Sequence, residues 1–187
     1  MRRYILTGTP GAGKTSILHG LQDRGYEVIE EAATAVIATE QALGVPEPWT
    51  DASFTDAIVD IQRRRQQAES QARIQVYDRS PVCTHALSVF CGYPISATLA
   101  AELDRIRRGR VYERQVFFIR NIGFCEPTAA RRISFEDSLE FERLHEVGYR
   151  DLGFEIVDVP AAGLDERVAL VADLITKFAG RDQDRWT

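Results

Sequence analysis

Eight residues near the start of the chain, Gly8 to Thr15, have the spacing G-x-x-x-x-G-K-T and follow the apolar run Tyr4-Ile5-Leu6. Glycines let the backbone curl so that successive N–H groups point at one anion, and the helix that follows adds its N-terminal field. Lys14 can reach the β- and γ-phosphates, and the Thr15 hydroxyl can hold Mg²⁺. The spacing therefore predicts a loop that binds ATP and Mg²⁺ through Gly8, Thr9, Pro10, Gly11, Ala12, Gly13, Lys14, Thr15 and Ser16.

Acidic residues follow two further apolar stretches of the chain. Glu30 and Glu31 end the stretch at 26–30, where a carboxylate can take a proton from a substrate hydroxyl, and Glu31 is preferred weakly. Their alternative role is the acidic first turn of the next helix. Asp78 ends the stretch at 74–78 and is expected to hold Mg²⁺ or serve as the base, while Arg79 is expected to neutralise the moving phosphoryl group. A solvated turn is the alternative for this pair.

Two adjacent arginines, Arg131 and Arg132, end an irregular segment at 121–133 that contains Gly123 and Pro127. A loop with arginines can close over a transferring phosphate, exclude water and stabilise the developing charge. This segment is therefore predicted to be a lid with Arg131 and Arg132 in a catalytic role, although a surface loop with a basic tip fits the same pattern. Arg120 is a further, weaker candidate.

Strand-like and helix-like stretches alternate along the chain, which predicts a doubly wound α/β fold with a parallel sheet. Ligands of such sheets gather beyond the carboxyl ends of the strands. We expect one domain over 1–180, with a helical acceptor insert at 31–72, and a frayed tail at 181–187. The strands are predicted at 3–7, 26–30, 74–78, 115–119 and 154–158, and the helices at 14–24, 31–43, 53–72, 82–91, 96–108, 134–151 and 164–179.

The composition suits a single globular domain, because 187 residues with 44% hydrophobic and 27% charged can bury a full core. The formal net charge of −5 argues against a nucleic-acid partner. There is no run of 18 apolar residues and no signal-like start, so we expect a cytoplasmic protein without a membrane partner. The three cysteines show no metal-ligand spacing and are expected to be buried thiols, and the three histidines are expected to be structural.

These motifs together resemble the nucleotide and nucleoside kinase branch of the P-loop proteins. More narrowly, the chain is similar to the small family of AAA-type predicted ATPases, which has kin among the nicotinamide riboside kinases. The resemblance implies a kinase-like, three-layer α/β/α P-loop NTPase fold with a five-stranded, mostly parallel sheet. It also implies Mg-ATP as the donor, Lys14 and Thr15 at phosphate and metal, Asp78 at the metal or acceptor, and a lid cation at Arg131 or Arg132. The matching stretches are Gly8–Thr15, Glu30-Glu31-Ala32-Ala33, Asp78-Arg79, Arg131-Arg132 with Ser134-Phe135-Glu136, and Tyr149 to Pro160.

The favoured function is transfer of the γ-phosphoryl group of Mg-ATP to a small acceptor such as a nucleoside, a nucleotide or a related metabolite. An ATP-hydrolysing binding switch that has no small acceptor is the alternative, and a nucleic-acid kinase is the least favoured. The expected partners are thus a nucleotide and a small molecule, and the chain is expected to be a monomer or a homodimer.

Overall fold

A five-stranded sheet forms the centre of the computed structural model, which describes residues 1–120 and 135–181. The strand order is β2-β3-β1-β4-β5, and all four neighbouring pairs are parallel. After β1 the chain crosses towards β2, whereas after β3 it crosses to β4 on the other side of β1. The strands are β1 (Arg2–Thr7), β2 (Glu27–Ile29), β3 (Ile74–Asp78), β4 (Gln115–Ile119) and β5 (Glu155–Val159).

Helices cover both faces of this sheet. Helices α1 and α7 pack together on one face, α4 and α6 pack on the other, and α2 and α3 form an extension that packs against α4 and α5. A single 3₁₀ turn, Pro48–Thr50, separates α2 from α3. The helices are α1 (Lys14–Asp23), α2 (Ala32–Ala42), α3 (Ser53–Gln67), α4 (Pro81–Phe90), α5 (Ala97–Arg108), α6 (Phe135–Asp151) and α7 (Leu164–Arg181).

The alternation of β1 explains why the fold has three layers. Tyr4 and Leu6 belong to the core under α1 and α7, whereas Ile5 between them belongs to the core under α4 and α6. Side chains of a strand alternate between its two faces, so the apolar run Tyr4-Ile5-Leu6 in this central strand requires cover on both sides. The three-layer α/β/α fold predicted from the sequence is therefore confirmed.

The end of α3 differs from the sequence prediction by five residues. The helix ends at Gln67, because Ala68 adopts an extended conformation with φ −62° and ψ 140°. Two residues further on, Ser70 Oγ accepts a hydrogen bond from the Ala72 amide and donates one to Glu27 at the start of β2. These contacts turn the chain into β3 before the helix can reach residue 72.

The predicted apolar stripe of α7 is largely buried: Val168, Val171 and Ile175 are at most 4% exposed, while Leu164 at the helix start is 43% exposed. None of the helices in the described part of the chain is long and apolar enough to cross a membrane. The predicted lid at 121–133 lies outside the described residues, as do residues 182–187 of the predicted tail.

Candidate active site

The loop between β1 and α1 has the conformation that its glycines permit. Gly8, Gly11 and Gly13 have φ values of 130°, 85° and 86°, a region that other residues rarely adopt. At Gly8 a Cβ atom would lie 2.3 Å from the Ile119 carbonyl oxygen of β4, so a side chain is excluded by space as well as by φ. The loop is therefore a cradle of backbone that any Cβ at Gly8 would disturb.

Lys14 is the first residue of α1 and folds back over the loop. Its Nζ donates a hydrogen bond of 2.8 Å to the Thr9 carbonyl oxygen, and the residue is only 6% exposed. Burial, together with the nearby Arg79 guanidinium, lowers the pKa of Lys14 from 10.5 to about 8. The ammonium group is thus held inside the loop with little solvent, where an anion would stabilise its charged form.

Asp78 ends β3 directly beside β1, where its Cα is paired in register with Leu6. Thr15 Oγ1 donates a hydrogen bond of 3.5 Å to Asp78 Oδ2, while the buried Oδ1 makes no hydrogen bond to the described residues. Burial and the Glu31 carboxylate raise the pKa of Asp78 above its ordinary value, an effect that a cation would reverse.

A carboxylate and a hydroxyl are the oxygen ligands that Mg²⁺ prefers, so Thr15 and Asp78 fit this ion. Within residues 1–120 and 135–181, no three histidine, cysteine or acidic residues cluster into a complete metal site. The remaining ligands would have to be water and phosphate oxygens, which is usual for Mg²⁺ at nucleotide sites.

Arg79 links Glu31, which follows β2, to the site formed by Lys14 and Asp78. Its backbone has a φ of 71°, and its Nε lies 2.5 Å from Glu31 Oε1. Burial raises the pKa of Glu31, but the Arg79 guanidinium and the Lys14 ammonium outweigh this effect and lower the pKa below its ordinary value. The structure brings Glu31 to Arg79, while Glu30 is exposed. Glu31 is therefore an ionised carboxylate at neutral pH.

His145 of α6, which was expected to be structural, holds the other side of Arg79. Its Nδ1 lies 2.7 Å from the Phe141 carbonyl oxygen, which can only accept, so Nδ1 carries the proton. His145 Nε2, which lies 3.2 Å from Arg79 Nη1, then accepts a hydrogen bond from it. The ring is fully buried. No spacing in the sequence marks this contact, because the two residues are 66 positions apart.

A largely apolar cavity of about 310 Å³ opens beside Glu31 and Arg79. The rings of Phe90 and Phe141, 5.0 Å apart, form part of its wall. Deeper polar groups are the Gln62 amide, which is 7% exposed, and the Thr84 hydroxyl, which donates a hydrogen bond of 3.2 Å to Gln62 Oε1. The other lining side chains include Pro10, Ile37, Trp49, Phe54, Ile58, Cys83, Leu87 and Cys91.

Arg120 and Cys91 have surroundings that the sequence did not predict. Arg120 forms ion pairs with Glu142, Glu146 and Asp158, and its guanidinium stacks 4.3 Å from the Phe118 ring centroid. Arg131 and Arg132 lie outside the described residues. Cys83 is buried as expected, whereas Cys91 is exposed, since it follows the last turn of α4 at the mouth of the cavity.

One candidate for a functional role, Arg167, was not identified from the sequence. Arg167 of α7 is 6% exposed, and its Nη1 donates a hydrogen bond of 2.8 Å to the Ala12 carbonyl oxygen. The residue lies 155 positions from the loop that it contacts, and it is one of many arginines in the sequence. The sequence offers no pattern that would have distinguished it.

Comparison with known proteins places these features in a family. A family model described as an AAA domain matches residues 3–167. No curated protein sequence matches. Many solved structures do match. One of them is deoxyadenosine kinase from M. mycoides with the products dCMP and dCDP. It has 13% sequence identity and a TM-score of 0.63, and the match covers 94% of this chain and 99% of that one. The same kinase with dATP has 13% identity, a TM-score of 0.57, and coverage of 93% and 99%. At these identities the likeness is one of fold.

Proposed function

Because the chain belongs to the AAA domain family, we propose that it is a P-loop phosphotransferase that moves the γ-phosphoryl group of Mg-ATP to a nucleoside-like acceptor. The observation that carries the proposal is the position of Glu31. This carboxylate lies between the loop Gly8–Ser16, called here the phosphate loop, and a largely apolar cavity that is open to solvent on one side. An ATP-hydrolysing switch needs a nucleotide loop but has no use for an acceptor-sized cavity next to a base.

On this proposal, Mg-ATP supplies the phosphoryl group, and the chain supplies position, charge and a base. Gly8 to Ser16 bind the phosphates through backbone N–H groups and Lys14, while Thr15 and Asp78 hold the metal ion. Glu31 accepts the proton of the acceptor hydroxyl, and its lowered pKa keeps it ready to do so at neutral pH. Arg79 fixes the orientation of Glu31 through their ion pair. Arg131 and Arg132 remain predicted lid residues.

The walls of the cavity support a nucleoside as the acceptor. Its volume lies near the lower end of the range for small-molecule sites, and aromatic rings provide flat apolar faces for a base. The Gln62 amide offers a donor and an acceptor, the pair that a base edge requires. The similar solved structures are of a deoxynucleoside kinase with bound nucleotides, which adds deoxyadenosine and deoxycytidine to the acceptors worth testing.

The test is a screen for acceptor-stimulated ADP release with Mg-ATP, in which each nucleoside, nucleotide or cofactor precursor is added singly. We expect one nucleoside class to raise ADP release at least about tenfold and to become phosphorylated. Glu31→Gln should lose this stimulation but keep ATP binding. If no acceptor raises the rate and the protein retains ADP tightly, the switch is the correct function instead.

A further inference from the structure

The chemistry proposed for this chain does not use the contact between Arg167 and the phosphate loop. The guanidinium reaches from the first turn of α7 to the Ala12 carbonyl oxygen, and Nη2 lies 2.9 Å from the position that a Cβ on Gly13 would occupy. The side chain thus packs directly against the Ala12–Gly13 peptide. A Cβ at position 13 would displace this guanidinium from the Ala12 carbonyl oxygen.

The geometry of that peptide bond determines where its N–H group points. A peptide unit is planar and trans, so its C=O and N–H groups point in opposite directions. Arg167 draws the Ala12 carbonyl oxygen to its own side. The Gly13 N–H must then point to the opposite side of the same plane, away from α7.

The charge of Arg167 supports the same conclusion. No carboxylate among the described residues forms an ion pair with it, and its Nε has no hydrogen-bond partner among them. A buried guanidinium that has only a carbonyl oxygen as partner is unfavourable unless an anion lies nearby. A phosphate chain in the loop would be such an anion, on the far side of a single peptide unit.

We propose that Arg167 is a positioning residue for the nucleotide phosphates: it orients the Gly13 N–H towards them and adds a buried positive charge behind the loop. The proposal rests on ATP binding at this loop, which is part of the proposed function. It does not depend on which acceptor, if any, receives the phosphoryl group.

The experiment measures the equilibrium binding of two probes, Mg-ATP and magnesium tripolyphosphate, to the full chain and to Arg167→Met. Tripolyphosphate has no nucleoside, so it reports on the phosphate loop alone. We expect both affinities to fall by a similar factor, between about 10-fold and 100-fold, the usual effect of losing a charged hydrogen-bond donor. Lys177→Met is the control, because it removes an exposed cation from the same helix and should leave both affinities unchanged.

Two results would overturn the proposal: Mg-ATP affinity of Arg167→Met within twofold of the unaltered chain, or weaker ATP binding with unchanged tripolyphosphate binding. If the methionine variant does not fold, Arg167→Lys keeps the charge but lacks the planar fork. It should also bind both probes more weakly, and affinities equal to those of the unaltered chain would refute the role. Normal ATP binding without acceptor phosphorylation in the unaltered chain would refute only the proposed function.

Discussion

Replacing Lys14 with methionine should make the protein inactive and at the same time more stable. The Nζ group of Lys14 is buried, and its hydrogen bond goes to the Thr9 carbonyl oxygen, a neutral acceptor. Methionine has a similar length and fills the same space, but it has no charge to bury. Because the proposed role of Lys14 is to bind phosphate, we expect Lys14→Met to lose ATP turnover completely.

The size of the stability gain follows from the pKa of Lys14. Burial and Arg79 lower this pKa from 10.5 to about 8, which corresponds to about 3 kcal/mol of destabilisation of the charged form at pH 7. Loss of the hydrogen bond to Thr9 offsets about 1 kcal/mol of the gain. The free energy of unfolding should therefore rise by about 2 kcal/mol, and the melting temperature by roughly 4–8 °C for a chain of this size.

The gain should also depend on pH in a defined direction. Between pH 8 and pH 10.5 the unfolded chain keeps its proton on Lys14 while the folded chain loses it. The unaltered protein therefore becomes more stable, as far as this group is concerned, as the pH rises through that window. The advantage of Lys14→Met is thus full below pH 8 and shrinks above it.

Thermal and urea unfolding at pH 7 and pH 9.5, without nucleotide, measure both effects. Lys177→Met is the matched control, because Lys177 is the only other lysine of the chain and is exposed. Its melting temperature should match that of the unaltered protein at both pH values. A Lys14→Met variant that is less stable than the unaltered protein at pH 7, or equally stabilised at both pH values, would show that the reasoning about this buried charge is wrong.

Three further predictions concern the other groups of the site. Asp78→Asn should lower turnover at least about 100-fold while ATP affinity falls less than about tenfold. Steady-state kinetics and calorimetry measure the two effects. Comparable losses of turnover and of ATP affinity would favour a structural role for Asp78. Glu31→Gln should lower kcat for acceptor phosphorylation with little change in the KM for ATP, and unchanged kcat in the kinetic assay would exclude it as the base. Gly8→Ala should lower the free energy of unfolding by about 2–4 kcal/mol, because the new Cβ meets the Ile119 carbonyl oxygen. A melting temperature equal to that of the unaltered protein would contradict this close contact.

The sequence predicted those parts of the molecule whose causes are local. All five strands lie within two residues of their predicted bounds, since the apolar runs and the turns that separate them are short-range features. The phosphate loop was visible for the same reason, because its residues are contiguous. Glu31 and Asp78 could be proposed because parallel strands present their carboxyl ends at one edge of the sheet.

Contacts between distant parts of the chain could not be predicted in this way. His145 meets Arg79 only because α6 packs against α4, and Arg167 meets Ala12 only because α7 packs against α1. The end of α3 depends on a contact between Ser70 and Glu27, 43 positions apart. Such contacts follow from tertiary packing, which composition and periodicity do not encode residue by residue.

The origin of the groups around the cavity has a consequence for evolution and for protein engineering. The groups proposed to bind phosphate and metal come from segments that follow β1 and β3, whereas the apolar walls come mostly from α2, α3, α4 and α6. Substitutions at Trp49, Phe54 or Leu87 would change the shape of the cavity and therefore, on the proposed function, the acceptor that it binds. They would leave Lys14, Thr15 and Asp78 unaltered. On the proposed function, selectivity can therefore change by stepwise exchange of helix side chains, while the groups at the strand ends stay the same.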